Sequence, residues 1–96
     1  IKVGTIIEAV EVPKSSKLLK LQVDLGENRP RQVVAGIKEF YSASELVGTQ
    51  ACVVANLKPA KLMGLLSEGM LLAAKDENGL SLIRPEKPKK IGTKIS

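Results

Sequence analysis

The chain has 96 residues, with 15 Lys and Arg against 10 Asp and Glu, one Cys and no His, for a formal net charge of +5. That length suits one domain around one core. The missing histidine excludes Ser-His-Asp and Cys-His nucleophile pairs. With a single cysteine it also excludes an intramolecular disulfide and a zinc site of the usual ligands.

Lys2 to Val12 reads as a long first strand, with Gly4 as its expected bulge or bend. Pro13-Lys14-Ser15-Ser16 is a turn cluster. From Lys17 to Leu25, Leu19, Leu21, Val23 and Leu25 alternate with Lys20, Gln22 and Asp24, which predicts a second strand with one buried face. Gly26 to Pro30 is a hairpin loop, and Arg31 to Ala35 is the third strand. Ser42 followed three residues later by Glu45 is a capping box, so one short helix is expected between Tyr41 and Gly48. Thr49 to Asn56 is an apolar fourth strand, and its Cys52 reads as a buried small residue. Leu57 to Ser67, broken by Pro59 and Gly64, is expected as a long loop; loops of that length usually carry function. Gly69 to Ala74 is a fifth strand. Asp76-Glu77-Asn78-Gly79 is a turn, with Asn78-Gly79 as its sharp signal, and Leu80 to Ile83 a short return. Arg84 to Ser96 is a Lys- and Pro-rich tail in which Ile91 and Ile95 can pack down.

This order predicts an all-β OB fold, a five-stranded barrel with one short helix between strands 3 and 4. Residues 1–96 form a single domain, with 84–96 as a C-terminal extension. The start on Ile1, already inside a strand pattern, suggests a domain of a longer chain. No run is long enough for a membrane-spanning helix, no signal peptide opens the chain, and the lone Cys fits a reducing compartment; a cytoplasmic location is expected. No Gly-rich phosphate loop is present, and no carboxylates converge, so neither catalysis nor a cofactor or metal is expected.

A basic domain of this size usually meets a polyanion. The expected surface is the polar face of the first three strands with the connection between the fourth and fifth, where Lys14, Lys17, Lys20, Arg29, Arg31, Lys58 and Lys61 can contact RNA. Any single lysine among these reads better as a solvated surface charge; the set in loops around one face is what favours binding. Phe40 and Tyr41 are the only aromatic residues, and at least one is expected to plug the core. Base stacking therefore cannot dominate, which leaves phosphate contacts and recognition of RNA shape.

Four stretches, Gln32-Val33-Val34-Ala35-Gly36-Ile37, Glu45-Leu46-Val47-Gly48, Val54 to Leu62 (VANLKPAKL) and Ser67 to Ala74 (SEGMLLAA), resemble the tRNA-binding domain family. That family includes C-terminal domains of bacterial methionyl-tRNA synthetases, to which Lys17 to Gly26 is most similar, and free-standing structure-specific tRNA-binding proteins. The sequence departs from the family pattern at Val12-Pro13-Lys14-Ser15-Ser16, where many members carry His-Pro-Asn-Ala-Asp. It departs again at Lys61-Leu62-Met63-Gly64, where many carry arginine before the glycine. The resemblance implies a non-catalytic appended domain that binds tRNA by its overall form, raises the tRNA affinity of a parent methionine–tRNA ligase and forms a homodimer. No small-molecule substrate is implied. It also adds Asn56, Ser67 and Met70 as signature residues of the RNA site. Ser and Asn equally serve loop structure, and Met70 equally serves the core. The competing reading is a free-standing protein-interaction or chaperone-like module.

Overall fold

The computed structural model describes all residues 1–96. Strands β1 (Lys2–Glu11), β2 (Leu19–Asp24) and β3 (Arg31–Ala35) precede the four-residue helix α1 (Ala43–Leu46), and β4 (Gln50–Val54) follows it. Three short pairs complete the chain: β5 (Ala60–Leu62) with β6 (Leu65–Ser67), β7 (Met70–Leu71) with β4, and β8 (Ala73–Asp76) with β9 (Gly79–Leu82). The main antiparallel sheet runs β3-β2-β1-β4-β7. It curls until β3 meets the β6–β7 segment, giving the nearly closed five-stranded barrel with one helix after the third strand.

Curling depends on β1 serving two neighbours. Lys2 to Thr5 pairs with β4, whereas Thr5 to Glu11 pairs with β2. The register slips between Ile6 and Glu8, so the bulge sits at Ile7 rather than at Gly4. Gly4 has a different task. A Cβ there would lie 2.6 Å from Val23 Cγ1 and 2.8 Å from Leu25 Cδ2, so only glycine lets β1 cross the end of β2 this closely.

The period-2 spacing of β2 becomes a strict inside-outside alternation: Leu19, Leu21 and Val23 are fully buried, with Lys20, Gln22 and Asp24 outside. They join Ile6, Val33, Ala51, Val53 and Leu71 in one aliphatic core. Each such Leu, Ile or Val stabilises the fold by about 1.5–3 kcal/mol. Helix α1 is too short to stand alone. Leu46, fully buried, pins it over the barrel, and the Glu45 carboxylate accepts from the Ser42 backbone N–H (3.2 Å) and hydroxyl (2.8 Å). Tyr41 is the aromatic plug, packing on the core with its hydroxyl accepting the Leu82 N–H at 3.0 Å.

Two further expectations need correction. Leu57 to Ser67 is not an open loop, because β5 and β6 form a hairpin inside it. Its turn, Met63-Gly64, has φ of 50° and 78°, the doubly left-handed geometry of a type I′ turn. Methionine is an unusual occupant there, which hid the hairpin. The fifth strand is split: β7 ends at Leu71, and past Leu72 the chain leaves the barrel to pair with β9. The expected turn over Asp76 to Gly79 forms, with Glu77 and Asn78 as its central residues and Gly79 (φ 127°) paired with Asp76. The C-terminal extension packs down on β1. Val3 N–H donates to Thr93 O (2.9 Å), Gly92 N–H to Val3 O (2.8 Å) and Ile95 N–H to Ile1 O (2.8 Å). The Gln50 side chain clasps both backbone groups of Lys89. The tail thus lies along the stretch of β1 that β2 leaves free.

Candidate nucleic-acid interface

The long β4–β7 connection builds the wall of a groove on the outer side of β3. Glu68 N–H donates to Gln32 O at 2.7 Å, as a ladder bond would. One position on, the Ser67 hydroxyl takes the place of a backbone acceptor: it accepts the Val34 N–H at 3.0 Å and donates to Gly69 O at 3.0 Å. Gln32 Nε2 donates to Leu66 O (2.8 Å), and Gln22 Nε2 to Gln32 Oε1 (3.2 Å), tying the β5–β6 hairpin to the outer sheet face. Between hairpin and sheet runs a shallow groove of about 170 Å³, walled by Val34, Leu57, Ala60, Leu62 and Met70 and edged by Lys58.

The cations divide into two groups. Arg29 and Arg31 are already engaged. Arg29 forms a bidentate pair with Glu68 (3.0 and 2.6 Å), and Arg31 one with Glu27 (2.9 and 3.0 Å). Arg31 Nη1 also donates to Ala55 O and to Glu68 O (3.0 Å), so this half-buried guanidinium braces β3 against both ends of the β4–β7 connection. The Arg29 hydrogen bond holds the Glu68 carboxyl below the ordinary carboxylate range, and Arg31 does the same for Glu27. Lys38, which the sequence did not single out, donates to Ser15 O at 3.0 Å and lies 3.5 Å from Glu11, fixing the β1–β2 loop.

By contrast, Lys14, Lys17, Lys20, Lys58 and Lys61 have no carboxylate within ion-pair distance. Lys14 and Lys17 stand on the β1–β2 loop, shaped by Ser15 Oγ accepting the Lys17 and Leu18 N–H groups; Lys14 itself has φ 67°. Lys20 is the register partner of Val34, which puts it on the groove's side of the sheet. Lys61 pairs with Leu66, on the hairpin face opposite Ala60 and Leu62, and so faces away from the groove.

The signature residues part company. Ser67 is buried and both its hydroxyl capacities are used within the seam. Met70 is about half exposed at the groove, not in the core. Asn56 lies outside the groove, in a separate cleft beside Arg31. Phe40 is partly exposed, with the Lys75 ammonium 5.4 Å from its ring centre.

The family model described as "Putative tRNA binding domain" matches residues 1–94. The methionine–tRNA ligase of Helicobacter pylori strain J99 is 58% identical over 96 residues, covering 100% of this chain and 15% of that protein. The methionine–tRNA ligase of Methanocaldococcus jannaschii is 53% identical over 99% of the chain and 15% of its own length. The chain thus spans about 15% of these curated relatives. Among solved structures, a MetRS-related protein from Pyrococcus horikoshii superposes with a TM-score of 0.90 at 38% identity, covering 99% of this chain and 87% of that one. The chaperone CsaA from Bacillus anthracis gives 0.87 at 31% identity, with 99% and 88% covered. No helix is long and apolar enough to cross a membrane.

Proposed function

This chain belongs to the tRNA-binding domain family, and from that membership we propose that it is a non-catalytic module that grips tRNA by its folded shape. We place it as the C-terminal part of a cytoplasmic methionine–tRNA ligase whose tRNA affinity it raises, and which it helps to dimerise. The observation that carries this reading is the division of cations. Arg29 and Arg31 are consumed by internal carboxylates, whereas five lysines on the β1–β2 loop, strand β2 and the β4–β7 connection have no acidic partner. Unpaired ammonium groups, Lys58 and Lys20 on the groove's side and the others on the flanking loop and hairpin, supply phosphate contacts, and their flexible stems suit a backbone rather than a base edge. With Tyr41 spent in the core and Phe40 under Lys75, base stacking adds little.

The test is tRNA binding across a salt series with unstructured RNA as competitor. Affinity should fall steeply with salt, and folded tRNA should win. Equal affinity for both RNAs at every salt concentration would defeat recognition of shape. A homodimer is supported by the exposed Ile7 on β1, Ile95 on the docked tail, and Leu62, Met63 and Leu66 on the hairpin; a monomer mass by light scattering at tens of micromolar would refute it.

One observation favours a second reading: the groove's walls are apolar, and a similar solved structure is that of a chaperone. Extended peptide in that groove would bind with little salt dependence, the opposite of phosphate contact.

A further inference from the structure

At one end of the barrel lies a cleft of about 350 Å³ lined by Ile1, Lys2, Arg31, Ala55, Asn56 and Lys94. It shares no lining residue with the lysine-edged groove. Its cations arrive by register. Lys2 is the partner of Val53 and Arg31 that of Val23, and both valines are fully buried, so Lys2 and Arg31 project from the inner face of the sheet where the barrel opens. Lys94 comes from the docked tail as the antiparallel partner of Lys2. The flanking bonds run from Ile95 N–H to Ile1 O and from Val3 N–H to Thr93 O. Lys2 and Lys94 are therefore a non-hydrogen-bonded pair, the arrangement in which opposed side chains stand closest, with Cβ atoms about 5 Å apart.

Two like charges directly opposed on neighbouring strands oppose the docking of the tail. Neither ammonium has a carboxylate within ion-pair distance. The acids beside Arg31 are already matched: Glu68 by Arg29, and Glu27 by Arg31 itself, whose Nε and Nη2 donate to its two carboxylate oxygens. Three cationic side chains against one carboxylate leave the cleft at a net charge of +2, with the exposed Asn56 amide as a neutral donor. A dianion or a backbone phosphate placed between Lys2 and Lys94 turns their repulsion into two charge-assisted contacts.

We propose that this barrel-end cleft is a phosphate-binding site in which the C-terminal tail supplies half of the grip, through Lys94, and strand β1 the other half, through Lys2. Occupied, it fastens the tail. Taking the tRNA reading above as its basis, the site extends the RNA footprint from the groove, past Leu57, to the neighbouring barrel-end cleft. A free phosphate-bearing anion has the same chemistry and is the other source.

The experiment compares wild-type protein with the double variant Lys2→Gln/Lys94→Gln. In phosphate-free buffer the variant should melt at or above the wild-type temperature, because only repulsion has been removed. Titrating inorganic phosphate, with chloride held constant, should shift the amide resonances of Lys2, Asn56 and Lys94 saturably in the wild type and not in the variant. Against tRNA, the slope of log affinity on log salt should fall by about 2 in the variant. Phosphate shifts with an unchanged tRNA slope would uphold the anion site and reject RNA as its source. No phosphate response and no change in slope would overturn the proposal. A wild type that binds phosphate here but no tRNA at all would sink the tRNA function and leave the site standing.

Discussion

The two arginines on the β2–β3 side and the lysines around the groove are both basic, exposed to different degrees, and look alike in sequence. They do opposite things. Arg31 makes four side-chain hydrogen bonds, two to Glu27 and one each to Ala55 O and Glu68 O, the last two reaching segments 24 and 37 residues away in sequence. Lys58 and Lys20 bond to no side-chain acceptor and hold nothing together. Charge that a fold has matched internally sets geometry; charge left unmatched is available to a ligand. A planar guanidinium, fixed in a fork, suits the first task and a mobile ammonium the second.

That contrast can be broken most sharply at Arg31. Arg31→Ala leaves two carbonyls and Glu27 without their donor and should destabilise the domain by about 3 kcal/mol, read as a lowered urea midpoint with the slope unchanged. Ser67→Ala, which strips the Val34 N–H of its acceptor, should cost about 2 kcal/mol, lowering the melting temperature by roughly 4–8 °C per kcal/mol. If Ser67 instead acts on RNA, melting will hold while tRNA affinity falls. Lys20→Ala/Lys58→Ala should behave as the mirror image, with stability within about 0.5 kcal/mol of wild type and a tRNA salt slope reduced by about 2. Acid sharpens the comparison further. Glu27 and Glu68 have folded values below the ordinary 4.5, so their stabilising contribution is present above that value and is lost as pH falls through the lowered ones. Melting temperature should therefore drop below about pH 4.5, and less so in Arg29→Ala, where the larger cause of the Glu68 shift is gone. The smallest effect is at the hairpin tip: Met63→Asn, better suited to a left-handed residue, should add about 0.5 kcal/mol without altering tRNA binding.

The alternation in β2, the capping box at Ser42 and the β3 boundaries could be read in the sequence because local chemistry decides them. The hairpin at Met63 could not, since its turn residue is one that sterics disfavour and only packing against β3 holds it. Nor could the fate of the cations. Whether Arg29 meets phosphate or Glu68 depends on a contact 39 residues away, and no spacing rule encodes it. Lys2 was passed over for a related reason: its neighbour Lys94 joins it only after the tail has folded back across β1. The tRNA-binding family likeness was legible because its signature lies in contiguous stretches, yet it marked Ser67 and Met70 alike, and the fold gives one to the seam and the other to the groove.

The Ser67 hydroxyl at the seam has a consequence for motion. Around the rest of the barrel, neighbouring strands are stitched by backbone ladders, whereas here the Val34 amide hangs on a single side-chain oxygen. This is where the cylinder opens at the smallest expense, and the Val34 amide should exchange with solvent sooner than that of Leu21 in the ladder centre. Because the same seam forms the floor between Val34 and Gly69, each opening also widens the groove. On the tRNA reading proposed above, breathing along this one line would let the module adjust its grip to tRNAs of slightly different girth, while the other strand junctions stay shut.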